Sequence, residues 1–331
     1  MWYIPPMLLA GDIGGTKTLL GLFQPGGDRP EPVVVRRYTT LDFDSLDAMI
    51  AGFLKEAGHR QLDAACFGVA GPVVGGTARL TNVPWRISAD ETQERFGIAQ
   101  VRLLNDLQAM GYSVAVLRDE ELAVLQEGDA SPDGNGAIIA AGTGLGEALL
   151  HNIDGRFVPA SSEGGHADYA PRTDREIALL RELVRLHGRA QNEMVLSGPG
   201  IVNIHRFLHP HGCPVVQSTE LDEADAPAEI TTAALERRCP QCVETLDLFV
   251  GAYGAEAGNL ALRSLATAGV YVGGGIAPKI LPALKAGGFV DAFRDKDPMR
   301  DLLAAVPVKI ILNPRAGLLG AATHAADIAN A

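Results

Sequence analysis

The chain lacks the cysteines of a disulfide framework: Cys66, Cys213, Cys239 and Cys242 are all it has in 331 residues. So few and so scattered, they suit free thiols in a reducing compartment. Positive charge is also scarce. Lys and Arg number 28 against 40 Asp and Glu, a formal net charge of −12, and no basic stripe gathers them, which argues against nucleic acid as a partner. No stretch approaches the ~20 apolar residues of a membrane span, and the opening Met1–Pro6 has no basic region leading into an apolar run. The expectation is a cytoplasmic globular protein without membrane or nucleic-acid partners. With 47% apolar residues, a chain of this length buries a substantial core and divides into two domains.

Glycine is what the chain has in excess: 38 residues, against a usual share of about 7%. The glycines cluster between apolar β-branched runs and helical patterns, where backbone must turn tightly or approach a phosphate. Two apolar runs, Met7–Ile13 and Thr18–Phe23, flank the first cluster, and Val33–Tyr38 adds a third strand. Apolar residues at helical spacing over Asp44–Ala57 predict a helix. Ala64–Ala70 and Val101–Leu104 read as buried strands, the second ending in Asn105-Asp106 before a helical pattern that runs through Leu117. A second cycle of strand, glycine turn and returning strand follows at Ala137–Ala141, Gly142–Gly146 and Ala148–Asn152, a hint of internal duplication. Asp174 to Val306 reads as mainly helical, interrupted by Val270–Val272 and a third glycine cluster. Strand Val308–Leu312 and helix Gly317–Ile328 close the chain.

Gly11-Asp12-Ile13-Gly14-Gly15-Thr16 sets a carboxylate beside a loop of backbone N–H groups, an arrangement for a metal ion and phosphates. Its spacing matches neither the dinucleotide fingerprint nor the P-loop. An ordinary hairpin turn is the competing reading, and Lys17 either adds charge near the phosphates or points to solvent. Gly142-Thr143-Gly144-Leu145-Gly146 repeats the composition, and two such loops could clamp one triphosphate. Gly274 and Gly275, ahead of a helix opened by Ala277-Pro278, offer close approach to a flat ligand such as adenine, or form a plain strand-to-helix turn. Asn105-Asp106 reads either as a helix cap or as the place of a general base for an attacking hydroxyl. Glu163, His166 and Glu193 add carboxylates and an imidazole suited to a polyol. Cys239-x-x-Cys242 has no second pair. His211 and Cys213 stand near it at irregular spacing, and the segment is read as a helix start rather than a zinc site. His59, His151, His187, His205, His209 and His324 are read as structural or surface residues without a nameable partner.

Taken together, Gly11–Thr16, Phe67–Pro72, Leu80–Trp85, Leu104–Asp106, Gly142–Gly146, Glu163–His166, Leu196–Gly200 and Ala316–Gly320 resemble the bacterial hexose glucokinases of the actin/hexokinase/Hsp70 ATPase superfamily, nearly end to end. The resemblance implies an α/β protein of two duplicated ribonuclease-H-like domains with a cleft between them: a small domain of 1–116 completed by 315–331, and a large one of 117–314. It implies an ATP- and Mg2+-dependent kinase that converts glucose to glucose 6-phosphate, the first step of glycolysis, and that forms a homodimer. Asp106 would be the general base for the 6-hydroxyl, and Asn105, Glu163, His166 and Glu193 would hold the other hydroxyls. Gly11, Asp12, Ile13, Gly14, Gly15, Thr16, Gly142, Thr143, Gly144, Gly274 and Gly275 would hold the nucleotide, with Asp12 positioning Mg2+ through water. Lys17 departs from the usual Asn of these glucokinases and is closer to the related repressor/open-reading-frame/kinase family. That family's cysteine-rich zinc motif is missing after His166, and no helix-turn-helix precedes the first strand. Another hexose or an amino sugar as acceptor, or a sensor that has lost catalysis, stand as alternatives. A sensor has no need of a base at Asp106.

Overall fold

Nearly every residue of the first apolar run is buried, and the structure uses it as a central strand with packing on both faces. In this computed structural model, residues 7–58, 61–80, 83–216 and 225–330 are described. His59, Thr81, Asn82 and Met1–Pro6, named above, lie outside the described residues. Strand β1 (Leu8–Ile13) pairs antiparallel with β2 (Lys17–Gln24), which pairs with β3 (Glu31–Thr39). On its other side β1 runs parallel to β4 (Ala64–Val69). The short strands β5 (Val73–Val74), β6 (Thr77–Arg79) and β7 (Arg86–Ser88) make a small antiparallel sheet that the sequence pattern did not reveal. Parallel strand β8 (Gln100–Asn105) completes the five-stranded order β3-β2-β1-β4-β8.

Alternation along β1 sends Leu9 and Ile13 to a core with Met49, Ile50 and Phe53 of α1 (Leu46–Ala57). Ser45 caps that helix by accepting from Ala48 N at 3.1 Å, and Gly58 ends it in the left-handed conformation. Helix α2 (Ala89–Phe96) is framed in the same way by Ser88 and Gly97. Helix α3 (Asp106–Ser113) stops short of the expected Leu117, because the chain tightens into a 3-10 turn over Val114–Val116.

The next strands are β9 (Leu122–Gln126), β10 (Gly136–Ala141), β11 (Leu145–Ile153) and β12 (Arg156–Ser162). Helices α4 (Asp174–His187), α5 (Gly198–Leu208), α6 (Ala226–Leu235) and α7 (Pro240–Ser264) follow, then β13 (Gly269–Gly273). The chain turns from Gly274 to Ile280 rather than opening a helix at Ala277-Pro278, and α8 (Leu281–Leu284) begins four residues later than Ala277. After α9 (Gly288–Arg294), α10 (Arg300–Ala305) and β14 (Val308–Ile311) comes α11 (Ala316–Ala329). The second sheet has the order β12-β11-β10-β13-β14-β9. Its antiparallel hairpin β10–β11, followed by parallel strands β13 and β14, repeats the connectivity of β1, β2, β4 and β8. The architecture is mixed α/β.

The chain separates into two compact units. One comprises the described residues up to Arg118, with 156–161 and those from Asn313; the other comprises 119–155 and 162–312. In the first, Leu8 and Ala10 pack with Ala109 of α3 and Leu318, Ala321, Ala322 and Ala325 of α11. In the second, Ile139 and Val272 pack with Phe249 and Tyr253 of α7. The Tyr253 hydroxyl is satisfied inside that core, accepting from Ala141 N at 3.1 Å and lying 3.3 Å from Ile139 O.

One sequence reading holds here and another needs correction. Cys239 and Cys242 do frame a helix start, with Cys239 as the residue before Pro240 of α7. Yet Cys242 Sγ lies 3.8 Å from Cys213 Sγ, and His209 Nε2 lies 3.3 Å from Cys239 Sγ. His209 therefore has a partner, whereas the ring nitrogens of His205 have none and His211 stands outside this group.

Glu147 on β11 is buried, and its Oε1 has no hydrogen-bond partner. Burial first and the Glu256 charge second push its pKa up, with Arg263 partly offsetting both. A carboxyl whose native pKa exceeds its unfolded value stabilises the fold while protonated, and this contribution disappears as pH rises through the native value. Glu147→Gln should therefore raise the melting temperature at pH 8, by less per kcal/mol than the ~2–4 °C of proteins of about 150–250 residues. Thermal melts across pH should show that gain shrinking to nothing in acid.

Candidate active site

Strands β1, β4 and β8 run parallel in register, with Asp12 beside Gly68 and Val69 beside Asn105. Their carboxyl ends therefore bring the Asp12 and Asp106 segments to one edge of the sheet, where open α/β sheets bind ligands. Close backbone contact makes this possible. A Cβ on Gly68 would come within 2.7 Å of the Ala109 methyl, so the bare glycine lets α3 start against the strand. Asn105, rather than Asp106, takes the cap position: its Oδ1 accepts from Leu107 N at 3.0 Å and its Nδ2 donates to Gly71 O at 3.3 Å. Asp106 is the first residue of the helix, its Oδ1 accepting from Leu107 N at 2.9 Å.

The turn from Asp12 to Lys17 is a tight hairpin held from outside. Gly14 N donates to Lys17 O at 3.1 Å, and the Thr40 hydroxyl donates to Gly14 O at 2.7 Å. Thr40 is buried and also contacts the Thr18 hydroxyl at 2.9 Å. The sequence reading missed this support, which depends on a residue 26 positions away. Asp12 is half-buried. A Cβ on Gly317 would approach its Oδ2 to 3.2 Å, so the first turn of α11 lies against the carboxylate. Burial first, then the negative Asp106, raise its pKa to about 6, while the exposed Lys17 opposes them. Lys17 is thus in solvent, yet its charge reaches the site. A half-buried carboxylate with too little positive charge around it fits a hard, hydrated divalent cation such as Mg2+.

In the second unit the Gly142–Gly146 turn converges with the polyol candidates on one residue, Leu145. Its N–H donates to Glu193 Oε2 at 2.9 Å, and a Cβ on Gly165 would overlap its carbonyl. Glu193 is thus brought to the glycine turn itself, against Gly144. The Glu163–His166 turn is stitched to the Glu193 segment by Asn192 N donating to Ala167 O at 2.9 Å and Tyr169 N donating to Ala190 O at 3.2 Å. Glu163 Oε2 and His166 Nε2 face solvent and lie 3.9 Å apart. Ser197 caps α5, and Gly198 N donates to Gly142 O at 2.8 Å, tying that helix's start to the loop. Gly274 has φ +84°, and a Cβ there would overlap the Ala141 carbonyl, so only glycine lets the third cluster lie against the second.

A family model described as Glucokinase matches residues 9–328. The chain is similar to a glucokinase of Nostoc punctiforme, with 43% identity over 97% of this chain and 99% of the relative. In structure it is similar to a glucokinase from an Antarctic psychrotroph, with a TM-score of 0.86 and 31% identity over 97% of this chain and 99% of that one. It shares its fold with a ROK family glucokinase of Streptomyces griseus, solved in complex with glucose and AMPPNP. That match has a TM-score of 0.65 and 22% identity, over 97% of this chain and 99% of the other.

The raised pKa of Asp12 has a measurable consequence. The stability it contributes is complete below its unfolded value of 3.8 and is lost as pH rises through about 6. Asp12→Asn should therefore stabilise the ligand-free protein at pH 8, by at most about 3 kcal/mol at ~1.4 kcal/mol per pKa unit and less with solvent screening. Denaturant melts at pH 8 and pH 3.5 should show the gain only at the higher pH.

Proposed function

The chain belongs to the glucokinase family, and we propose that its reaction, ATP + D-glucose → ADP + glucose 6-phosphate, uses Asp106 as the general base. The observation that carries this assignment is a carboxylate on the first turn of α3, electrostatically coupled to Asp12. Asn105 already supplies the cap, so capping does not by itself require an acid at the next position. Asp106 accepts the proton of the sugar's 6-hydroxyl as that oxygen attacks the γ-phosphorus, and the bond to the β–γ bridging oxygen breaks.

The N–H groups of the Gly11–Thr16 and Gly142–Gly144 turns bind phosphate oxygens, and Gly274-Gly275 lets the nucleotide base approach the backbone. Mg2+, when bound, neutralises charge on the phosphates, and Asp12 would hold it through water. Asn105, Glu163 and His166 hold the remaining sugar hydroxyls. Glu193 has two tasks in this reading: one oxygen fixes Leu145 and the other meets a hydroxyl. The ligands of the Streptomyces griseus protein support glucose and an ATP analogue as partners of this fold.

The repeated hairpin and parallel-strand order supports a duplicated ribonuclease-H-like unit, with a small domain of 1–116 plus 315–331 and a large domain of 117–314. A homodimer in the cytoplasm completes the reading. Among the described residues no helix is long and apolar enough to cross a membrane.

Asp106→Ala should lower kcat by about three orders of magnitude, within the ~10²–10⁴ typical of general-base removal. Glucose binding by calorimetry should weaken far less. Near-normal turnover of this variant in a coupled assay for glucose 6-phosphate would remove Asp106 from the mechanism. Wild-type enzyme that favoured another hexose in a substrate panel would instead change the acceptor.

A further inference from the structure

Helix α5 ends in two histidines one turn apart, His205 and His209, which share a face of the helix. Their rings lie 4.0 Å apart. Four residues on, beyond a turn at Gly212, comes Cys213, and Cys242 reaches the same spot from the first turn of α7. One donor atom from each of His205, His209, Cys213 and Cys242 lies within 4.8 Å of all the others.

Three details separate this cluster from ordinary packing. His205 is 1% exposed, and neither of its ring nitrogens has a hydrogen-bond partner. A buried imidazole in that state carries an uncompensated desolvation cost. Next, His209 Nδ1 lies 2.9 Å from His205 O, a bond in which the ring donates. This leaves the Nε2 lone pair to face the cluster, the carbonyl-oriented arrangement of metal-bound histidines. Finally, the Cys213 and Cys242 sulfurs are 3.8 Å apart. Two Zn–S bonds of ~2.3 Å at a tetrahedral centre set their sulfurs ~3.8 Å apart, whereas a disulfide needs about 2.05 Å.

We propose that His205, His209, Cys213 and Cys242 form a tetrahedral structural site for a soft divalent ion, Zn2+. Two thiolates and two imidazoles select zinc over the hard Mg2+, and each thiol gives up its proton on binding. The ion ties the end of α5 to the start of α7. Because α5 begins at the Gly198 N–H that holds Gly142 O, the site braces the helix that supports the second glycine turn. Cys239 Sγ, next to His209 Nε2, stands outside the four-donor set.

Elemental analysis of reduced protein purified without chelator should give one zinc per chain, released when the cysteines are blocked with an organomercurial. Cobalt substitution should give the intense visible bands of a tetrahedral site with thiolate charge transfer. Cys242→Ser and His205→Ala should lose stoichiometric zinc, while Cys239→Ser should keep it, which a redox pair formed by Cys239 and Cys242 would not predict. If those buried variants fail to fold, the half-buried Cys213→Ser and the wild-type cobalt spectrum carry the test. The proposal falls if reduced protein takes up no zinc, if cobalt gives only a weak octahedral spectrum, or if zinc stays bound in Cys213→Ser. A Cys213–Cys242 disulfide without metal uptake after reduction would overturn it equally.

Discussion

Holding the Asp12 carboxylate partly buried and beside the charge of Asp106 is the constraint around which the first unit is arranged. Three parallel strands in register deliver both acids to one sheet edge, and burial first, then the Asp106 charge, makes ionisation of Asp12 harder. The compensation is partial: Lys17 acts from solvent, and the first turn of α11 lies against Asp12. A fold optimised for stability alone would place an amide at one of the two positions. Two acids so placed leave a site short of positive charge, which a hydrated cation bound with a polyphosphate would relieve. The glycines at Gly68 and Gly317 serve this arrangement by letting α3 and α11 come close to the strand ends.

In the second unit the corresponding organiser is a neutral peptide group. Leu145 donates to Glu193 through its N–H, while its carbonyl packs on Gly165. The glycine turn, the Glu163–His166 turn and the Glu193 segment thus share one anchor. Gly274, fitted against Ala141 at the base of the same turn, extends the set to the third glycine cluster.

The features legible in the sequence were those with short period or short range. Strand β1, the glycine turns and helix α1 follow from apolar runs, φ preferences and a Ser cap within a few residues of each other. The Asn105-Asp106 pair was visible as polar residues at a strand end, but which of them caps the helix depends on backbone geometry that composition does not encode. The small sheet of β5, β6 and β7 escaped because strands of two or three residues carry no periodicity. The contacts made by Thr40, Leu145 and Gly317 escaped for a different reason: each acts on a residue distant in sequence and exists only after folding. The raised pKa values of Asp12 and Glu147 belong to the same class, since burial is their first cause.

The histidine–cysteine cluster shows where spacing rules stop being informative. A lone C-x-x-C invites a search for a second pair, and the nearest candidates in sequence, His211 and Cys213, led to only one real member. The histidines that join it sit one and two helical turns before Cys213, on a helix whose amphipathic pattern made them look like ordinary packing residues. What distinguishes His205 from a core histidine is energetic rather than sequential: the fold surrounds a buried ring with sulfur and a second imidazole, and gives it no hydrogen bond. Native structures rarely tolerate such a group without compensation. Of the compensations available to two thiols and two imidazoles, a shared metal ion satisfies all four groups at once, whereas a disulfide would satisfy two and leave His205 as it is.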